Sequence, residues 1–461
     1  PEQIMRLIAG LEETLQRPLL VATDHEGGRV IMFREGVTIF PDNLAVGTAG
    51  RVEDARRQGA IEAKELRRLG VDINFAPVLD VLTDTYSPNI GVRSYGPDPE
   101  LVAQMGVARI GAMQAGGLSA CAKHFPGKGH SPLDAHLRLP TILSTWKEMR
   151  ECHLIPFERA IRAGVDLVMT SHPLYPSLDP TPNCPATFSS RIVRETLRGD
   201  LAYEDVIASD DLEMGAISEI CPIREAGVHA RRSGHDLLLA CHDPESQWAL
   251  FQGLFDAYKA KTLPRGELEE SAERIRRLRA KRAARFEGDA PHPEPEGETL
   301  AREISRRAVT VLRPGVSDLD RRLRRSAAAV FPRLSILDRR IMIERPLLDE
   351  ERFIRERFNR FGVTPRVQVV GIEPAEDEIA GAESLASRSE VTILFLFDAH
   401  LYPADKTLLD RLQAQAIRLV VALMRDPYDV EFIREGVRCL TAYGYRVCQL
   451  DALIERLLGE L

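Results

Sequence analysis

The chain has 461 residues, of which 44% are hydrophobic and 28% charged, and its formal net charge is -8. That length and mix fit a globular protein of two domains and exclude a fibrous or disordered chain. No apolar run approaches the roughly 20 residues that span a bilayer, and the acidic balance repels a polyanion, so nucleic acid is rejected as a partner.

In chain order, PEQIMRLIAGLEETLQ reads as a helix. Six short apolar runs follow, at 18–24, 71–80, 118–125, 166–172, 205–211 and 235–242, each succeeded by a helical pattern. Such alternation predicts a parallel sheet or barrel. The runs end in Asp24, Asp80, Lys123 with His124, Ser171 with His172, Asp210 and His242, so ionisable groups are expected to converge on one rim. A (β/α)8 barrel collects its chemistry at the carboxyl ends of its strands, and that fold, a TIM-type barrel, is the predicted one. Six strands do not close such a barrel, and the first two are expected upstream of Pro1.

The segment 286–299, FEGDAPHPEPEGET, has no apolar periodicity and reads as a linker. It divides the chain into a catalytic domain at 1–285 and a carboxyl-terminal domain at 300–461. In the latter, runs at 308–313, 327–334, 367–372, 391–400, 418–427 and 439–445 alternate with charged helical segments, which predicts an α/β sandwich. Two arginine-rich stretches, from Arg274 and from Asp320, read as solvated helical faces. The seven cysteines show no CxxC spacing and are read as reduced thiols, giving a cytoplasmic location unless an upstream targeting segment has been lost.

Three patches carry chemistry. KHFPGKGHSPLDAH, 123–136, joins a strand end to a glycine-bearing loop. Lys123 and His124 offer directed donors to sugar hydroxyls, and Gly127 and Gly129 let the loop turn tightly. Asp134 and His136 stand two apart, so on an extended loop the carboxylate can fix the imidazole tautomer and raise its basicity; a surface pair without function fits the same spacing. Zinc held by His124, His130 and His136 matches no standard ligand spacing. In VIASDDLEMGA a strand delivers Asp210 and Asp211, of which only one can face a pocket. Asp211 suits a cap for the next helix, which leaves Asp210 for chemistry. In ATDHEGGRV, Asp24 ends a strand before two glycines, and Arg93 in NIGVRSYGPDP offers a fork of donors. Alone, Asp24 and Arg93 would each suit a structural role as well.

Taken together, DHEGGRV, FAPVLDV, IGVRSYGPDP, AKHFPGKGHSPLDAHLRLP, PATFSS and IASDDLEMGAI, in this order, resemble glycoside hydrolase family 3 and, within it, the β-N-acetylglucosaminidase branch. The resemblance runs from about residue 18 to about 285 and is looser beyond. It implies a retaining exo-enzyme that removes β-linked N-acetylglucosamine from peptidoglycan fragments or chitooligosaccharides through a glycosyl-aspartate intermediate, without metal or organic cofactor. By that resemblance Asp210 is the nucleophile, His136 the general acid/base and Asp134 its partner. Asp24, Arg93, Lys123 and His124 hold the sugar. The D-x-H loop, Asp134-Ala135-His136, separates this branch from the β-glucosidases and β-xylosidases of the family, which remain the first alternative; a catalytically inactive sugar-binding or scaffold homologue is the second. The chain departs from the pattern at Ile31-Met32-Phe33, where the branch carries a further arginine, and at Lys128, His130 and Ala135.

Overall fold

The computed structural model describes all residues except 132–138, 282–290, 316–318, 340, 416–417 and 460–461. Contacts divide the chain into two compact units, one of residues 1–26 and 51–292, the other of residues 27–50 and 293–461. The segment 27–50, placed with the first domain on sequence grounds, therefore packs with the second unit. Its helix Asn43–Ala49 is mostly buried, and it contacts the helix Pro295–Ala308. That second helix starts inside the expected linker. Pro295 at its first position supplies a preset φ, and Glu296 and Glu298 in its first turn complement the helix dipole. Among the described residues no helix is long and apolar enough to cross a membrane.

In the first unit all six expected runs form strands: β1 (Ala22–Thr23), β2 (Ile73–Asn74), β3 (Ser119–Phe125), β4 (Leu167–Thr170), β5 (Val206–Asp211) and β6 (Leu237–Leu239). They make one sheet in the order β1-β2-β3-β4-β5-β6, every pairing parallel. Parallel neighbours require crossovers, and helices such as Val52–Leu69 and Pro99–Ala115 supply them, while a third helix, Pro244–Lys259, follows the last strand. Asp98 caps the second of these by accepting from the Glu100 amide, and Asp243 caps the third through Glu245 and Ser246. Ile73, Phe75, Cys121, Leu167, Met169, Val206, Ala208 and Leu278 form a core along the sheet. Where Val52–Leu69 crosses Pro99–Ala115, Gly59 permits close approach, since a Cβ there would lie 2.5 Å from the Arg109 carbonyl oxygen. Beside it, fully buried Arg109 forks onto Glu62 at 2.9 and 2.7 Å and donates to the Glu26 carbonyl at 2.7 Å.

The second unit contains β7 (Thr310–Arg313), β8 (Ala327–Pro332), β9 (Arg366–Val370), β10 (Val391–Leu396), β11 (Leu419–Leu423) and β12 (Arg438–Thr441). Their order is β7-β12-β11-β10-β8-β9, parallel except for the antiparallel β7 edge. Period-two burial feeds two cores. Ile393 and Phe395 of β10 join Val420 and Ala422 on one face, while Leu394 and Leu396 join Val421 and Leu423 on the other.

Candidate active site

Parallel strands carry their carboxyl ends to the same edge of the sheet, and the functional groups of the first unit follow from that. Asp24 and Glu26 leave β1, Asp80 the segment after β2, Lys123 and His124 lie at the end of β3, His172 follows β4, and Asp210 is the last residue but one of β5. The 3-10 turn Gly91–Arg93 adds Arg93.

Glu26 is the hub. Its buried carboxylate accepts from Arg93 at 2.9 and 2.8 Å, and the Lys123 ammonium lies 2.6 Å away. Lys123 also pairs with Asp24 at 2.5 Å; Asp24, its side chain 38% exposed, is the open end of this chain of charges. Burial would raise the Glu26 carboxyl, but Arg93 and Lys123 hold it well below the usual carboxylate range. Burial in turn disfavours the charged Lys123 ammonium, yet Asp24 and Glu26 push its pKa up. Arg93 is further fixed by the carbonyl and side-chain oxygens of Asn89, at 2.8 and 3.0 Å. These donors are therefore preset in direction before any ligand arrives.

His124 Nδ1 lies 2.7 Å from Asp80 Oδ2, so the carboxylate holds the proton on Nδ1. His124 Nε2 is then the acceptor, 3.5 Å from Arg93. The other Asp80 oxygen accepts the Lys128 amide at 2.6 Å and ties down the loop after β3. Gly127, at φ +111, and Gly129, where a Cβ would lie 1.9 Å from the Val81 carbonyl oxygen, are required by that loop path. Burial pushes Asp80 up to about 6, against Lys128 and Arg93.

Asp210 is largely buried. Lys128 Nζ lies 3.5 Å from its Oδ2, and its Oδ1 accepts the Asp211 amide at 2.9 Å. Burial raises its pKa, yet Lys128, His172 and Lys123 outweigh it and bring the carboxyl down to about 2. It is an ionised, largely buried carboxylate, facing an ammonium whose own pKa burial lowers. That arrangement suits a nucleophile.

Asp24, Arg93, Lys123 and His124 thus share one network, joined through Glu26 and Asp80, and Asp210 meets it through Lys128. Asp134 and His136 lie outside the described residues. Three sequence expectations are corrected. His242 does not converge on the network: its side chain is 79% exposed and pairs with Asp211 at 2.9 Å, because β6 is short and ends before it. Asp211 does not cap a helix. Its Oδ1 accepts the Glu213 amide in the preceding turn, and the helix Gly215–Ser218 has Met214 at its N-cap. Ser171 donates to the Phe125 carbonyl and meets Tyr175, a structural role.

Glu26 and Lys128 have functional placements to which sequence reasoning gave no role, whereas His172, expected at the rim, does act on Asp210. Glu26 stands two residues after Asp24, and that spacing was the available signal. Among the described residues, Asp211, Glu213 and His242 bring ligand atoms within 4.8 Å of one another, but the group is partly exposed. An apolar cavity of about 690 Å³, lined by Leu238, Leu250, Phe251 and Phe255 among others, includes no residue of the charged network.

The profile described as "Glycosyl hydrolase family 3 N terminal domain" matches residues 2–278. The beta-hexosaminidase of Alkalilimnicola ehrlichii is 37% identical over 265 residues, covering 56% of this chain and 74% of that protein. The beta-hexosaminidase of Nitrosomonas eutropha is 35% identical over 263 residues, covering 55% and 74%. Among solved structures, the glycoside hydrolase family 3 beta-N-acetylglucosaminidase from Paenibacillus sp. str. FPU-7 superposes with a TM-score of 0.92 at 32% identity, over 100% of this chain and 88% of that one. With more than half its length matched by the family profile, the chain belongs to glycosyl hydrolase family 3.

Proposed function

We propose that this chain is a retaining exo-β-N-acetylglucosaminidase. The observation that carries the reading is an ionised, largely buried Asp210 beside Lys128, at the same sheet edge as the Asp24, Glu26, Lys123, Arg93 and His124 network, in a family 3 chain whose relatives are named beta-hexosaminidases. The six parallel strands are read as part of a (β/α)8 barrel, whose carboxyl-end rim is the habitual place for such a site.

Asp24, Arg93, Lys123 and His124 bind the hydroxyls of the terminal sugar. Asp210 attacks the anomeric carbon as the glycosidic C–O bond breaks. His136, oriented by Asp134, gives its proton to the departing oxygen. The glycosyl-aspartate ester is then opened by water, whose proton returns to His136, so two inversions retain the configuration. Terminal β-linked N-acetylglucosamine on peptidoglycan fragments or chitooligosaccharides is the substrate class. Seven free thiols support a reducing, cytoplasmic setting.

Release of p-nitrophenol from the β-N-acetylglucosaminide and from the β-glucoside tests this reading. Wild type should cleave the first in preference, Asp210→Asn should lose at least about 10³-fold in kcat, and His136→Ala should slow poor leaving groups most. Preference for the glucoside would move the chain to the β-glucosidase alternative, and cleavage of neither would leave the sugar-binding one.

A further inference from the structure

The second unit carries a separate set of ionisable side chains that the hydrolytic chemistry does not use. Asp398 and His400 follow β10; Arg425, Asp426 and Asp429 follow β11; Asp405 lies in the first turn of the helix Pro403–Ala414. All sit beyond the carboxyl ends of central parallel strands. The chain leaves β8 for β9 on one side and returns to β10 on the other, so the reversal, where an open α/β sheet has a crevice suited to ligands, lies between β8 and β10, one strand from β11.

Asp429 shapes the turn: its Oδ2 accepts the Ala399 amide at 2.6 Å, and its Oδ1 lies 3.1 Å from the His400 amide nitrogen and 2.7 Å from His400 Nδ1. Arg425 lies 2.7 Å from Asp398 Oδ2 and 3.3 Å from Asp426. Beyond these pairs the acids are undersupplied with donors. Asp398 Oδ1, Asp405 Oδ2 and Asp426 Oδ1 are buried and accept no hydrogen bond from the described residues, on residues only 1%, 3% and 4% exposed. Asp398, Asp426 and Asp429 thus gather three buried carboxyl groups around one guanidinium, Arg425, and one imidazole, His400. Burying an excess of acidic groups is costly, and a bound cation would offset it.

We infer that Asp398, His400 and Asp429 bind one divalent cation of the zinc or manganese type at the carboxyl ends of β10 and β11. One ligand atom from each lies within 4.8 Å of the other two. An ion held at about 2.0–2.2 Å from each would take the place of the His400 Nδ1–Asp429 Oδ1 hydrogen bond. Two carboxylates and an imidazole are the donor set that borderline divalent metals take. His400, partly exposed, and the exposed Leu401 mark the side from which the ion enters. The inference concerns the second unit alone and does not depend on the hydrolase reading.

The full chain, stripped of metal by chelation and dialysis, is titrated calorimetrically with Zn²⁺ and separately with Mn²⁺. The variants Asp398→Asn, His400→Gln and His242→Gln run in parallel, the last disabling the partly exposed group of Asp211, Glu213 and His242. One ion per chain is expected in wild type and in His242→Gln, with affinity lowered at least about tenfold in Asp398→Asn and His400→Gln. No binding by wild type, or binding unchanged in both second-unit variants, would overturn the site and leave protons as the charge compensation. So would binding that His242→Gln alone abolishes. If the second-unit variants do not fold, anomalous diffraction at the zinc edge from Zn²⁺-soaked wild-type crystals decides: a peak among Asp398, His400 and Asp429 supports the site, and its absence there overturns it.

Discussion

Lys128 Nζ lies 3.5 Å from Oδ2 of Asp210, so a buried ammonium faces the carboxylate assigned as nucleophile. Burial works to protonate that carboxylate, and Lys128 leads the groups that hold it ionised at about 2. In Lys128→Met the Asp210 pKa should rise by roughly one to two units. The nucleophile then protonates nearer the working range, and the acid limb of kcat/KM moves to higher pH. A pH–rate profile of Lys128→Met that coincides with wild type would remove Lys128 from this role.

Glu26 takes charge from both Arg93 and Lys123, so its neutralisation leaves two cations close together, with Asp24 still paired to Lys123. Glu26→Gln should cost about 3–5 kcal/mol of stability, the usual penalty for breaking a buried ion pair. KM should rise more than kcat falls, because the two cations proposed to bind the sugar lose their fixed position. Urea denaturation combined with steady-state kinetics checks both.

Arg109 is fully buried and forks onto Glu62 while holding the Glu26 carbonyl. Arg109→Met strands the Glu62 carboxylate, whose pKa burial already raises, and should destabilise the first unit by about 3–5 kcal/mol. The paired change Arg109→Met with Glu62→Leu should recover much of that loss, since no buried charge remains unpaired. A double variant no more stable than Arg109→Met would contradict this account.

His235 supplies a pH dependence of stability. Its ring is buried, with Nδ1 2.9 Å from the Ala230 carbonyl oxygen and Nε2 2.8 Å from Thr170 Oγ1, and burial lowers its pKa to about 4. The folded value lies below the ordinary 6.5, so as pH falls the unfolded chain takes up the proton first. The contribution is complete above about 6.5 and is lost as pH falls towards 4, on the order of 3 kcal/mol in all. Chemical denaturation at pH 7.5 and 4.5 should show this loss in wild type and a shallower one in His235→Gln.

The six strands of the first sheet were legible because each is an apolar run bounded by turn residues and ended by an ionisable group. The strands of the second unit were legible for the same reason, and the two-faced burial of β10 and β11 explains their unbroken hydrophobic character. The excursion of 27–50 into the second unit was not legible, since its helix Asn43–Ala49 is buried through long-range packing that no local pattern announces. His242 was misplaced because strand length, which sequence fixes only loosely, decides whether a tip residue reaches the rim.

Residue type and order alone carried the resemblance to the family and its sugar-directed chemistry, and they singled out Asp24, Arg93, Lys123, His124 and Asp210 as the residues proposed to bear it. Tertiary structure alone decided how those groups are charged. Glu26 became the hub, Asp80 the holder of His124 and Lys128 the partner of Asp210 only when parallel strands brought segments up to about 100 residues apart within hydrogen-bond reach. Ionisation depends on burial and on the distance to neighbouring charges, and both are properties of the folded chain.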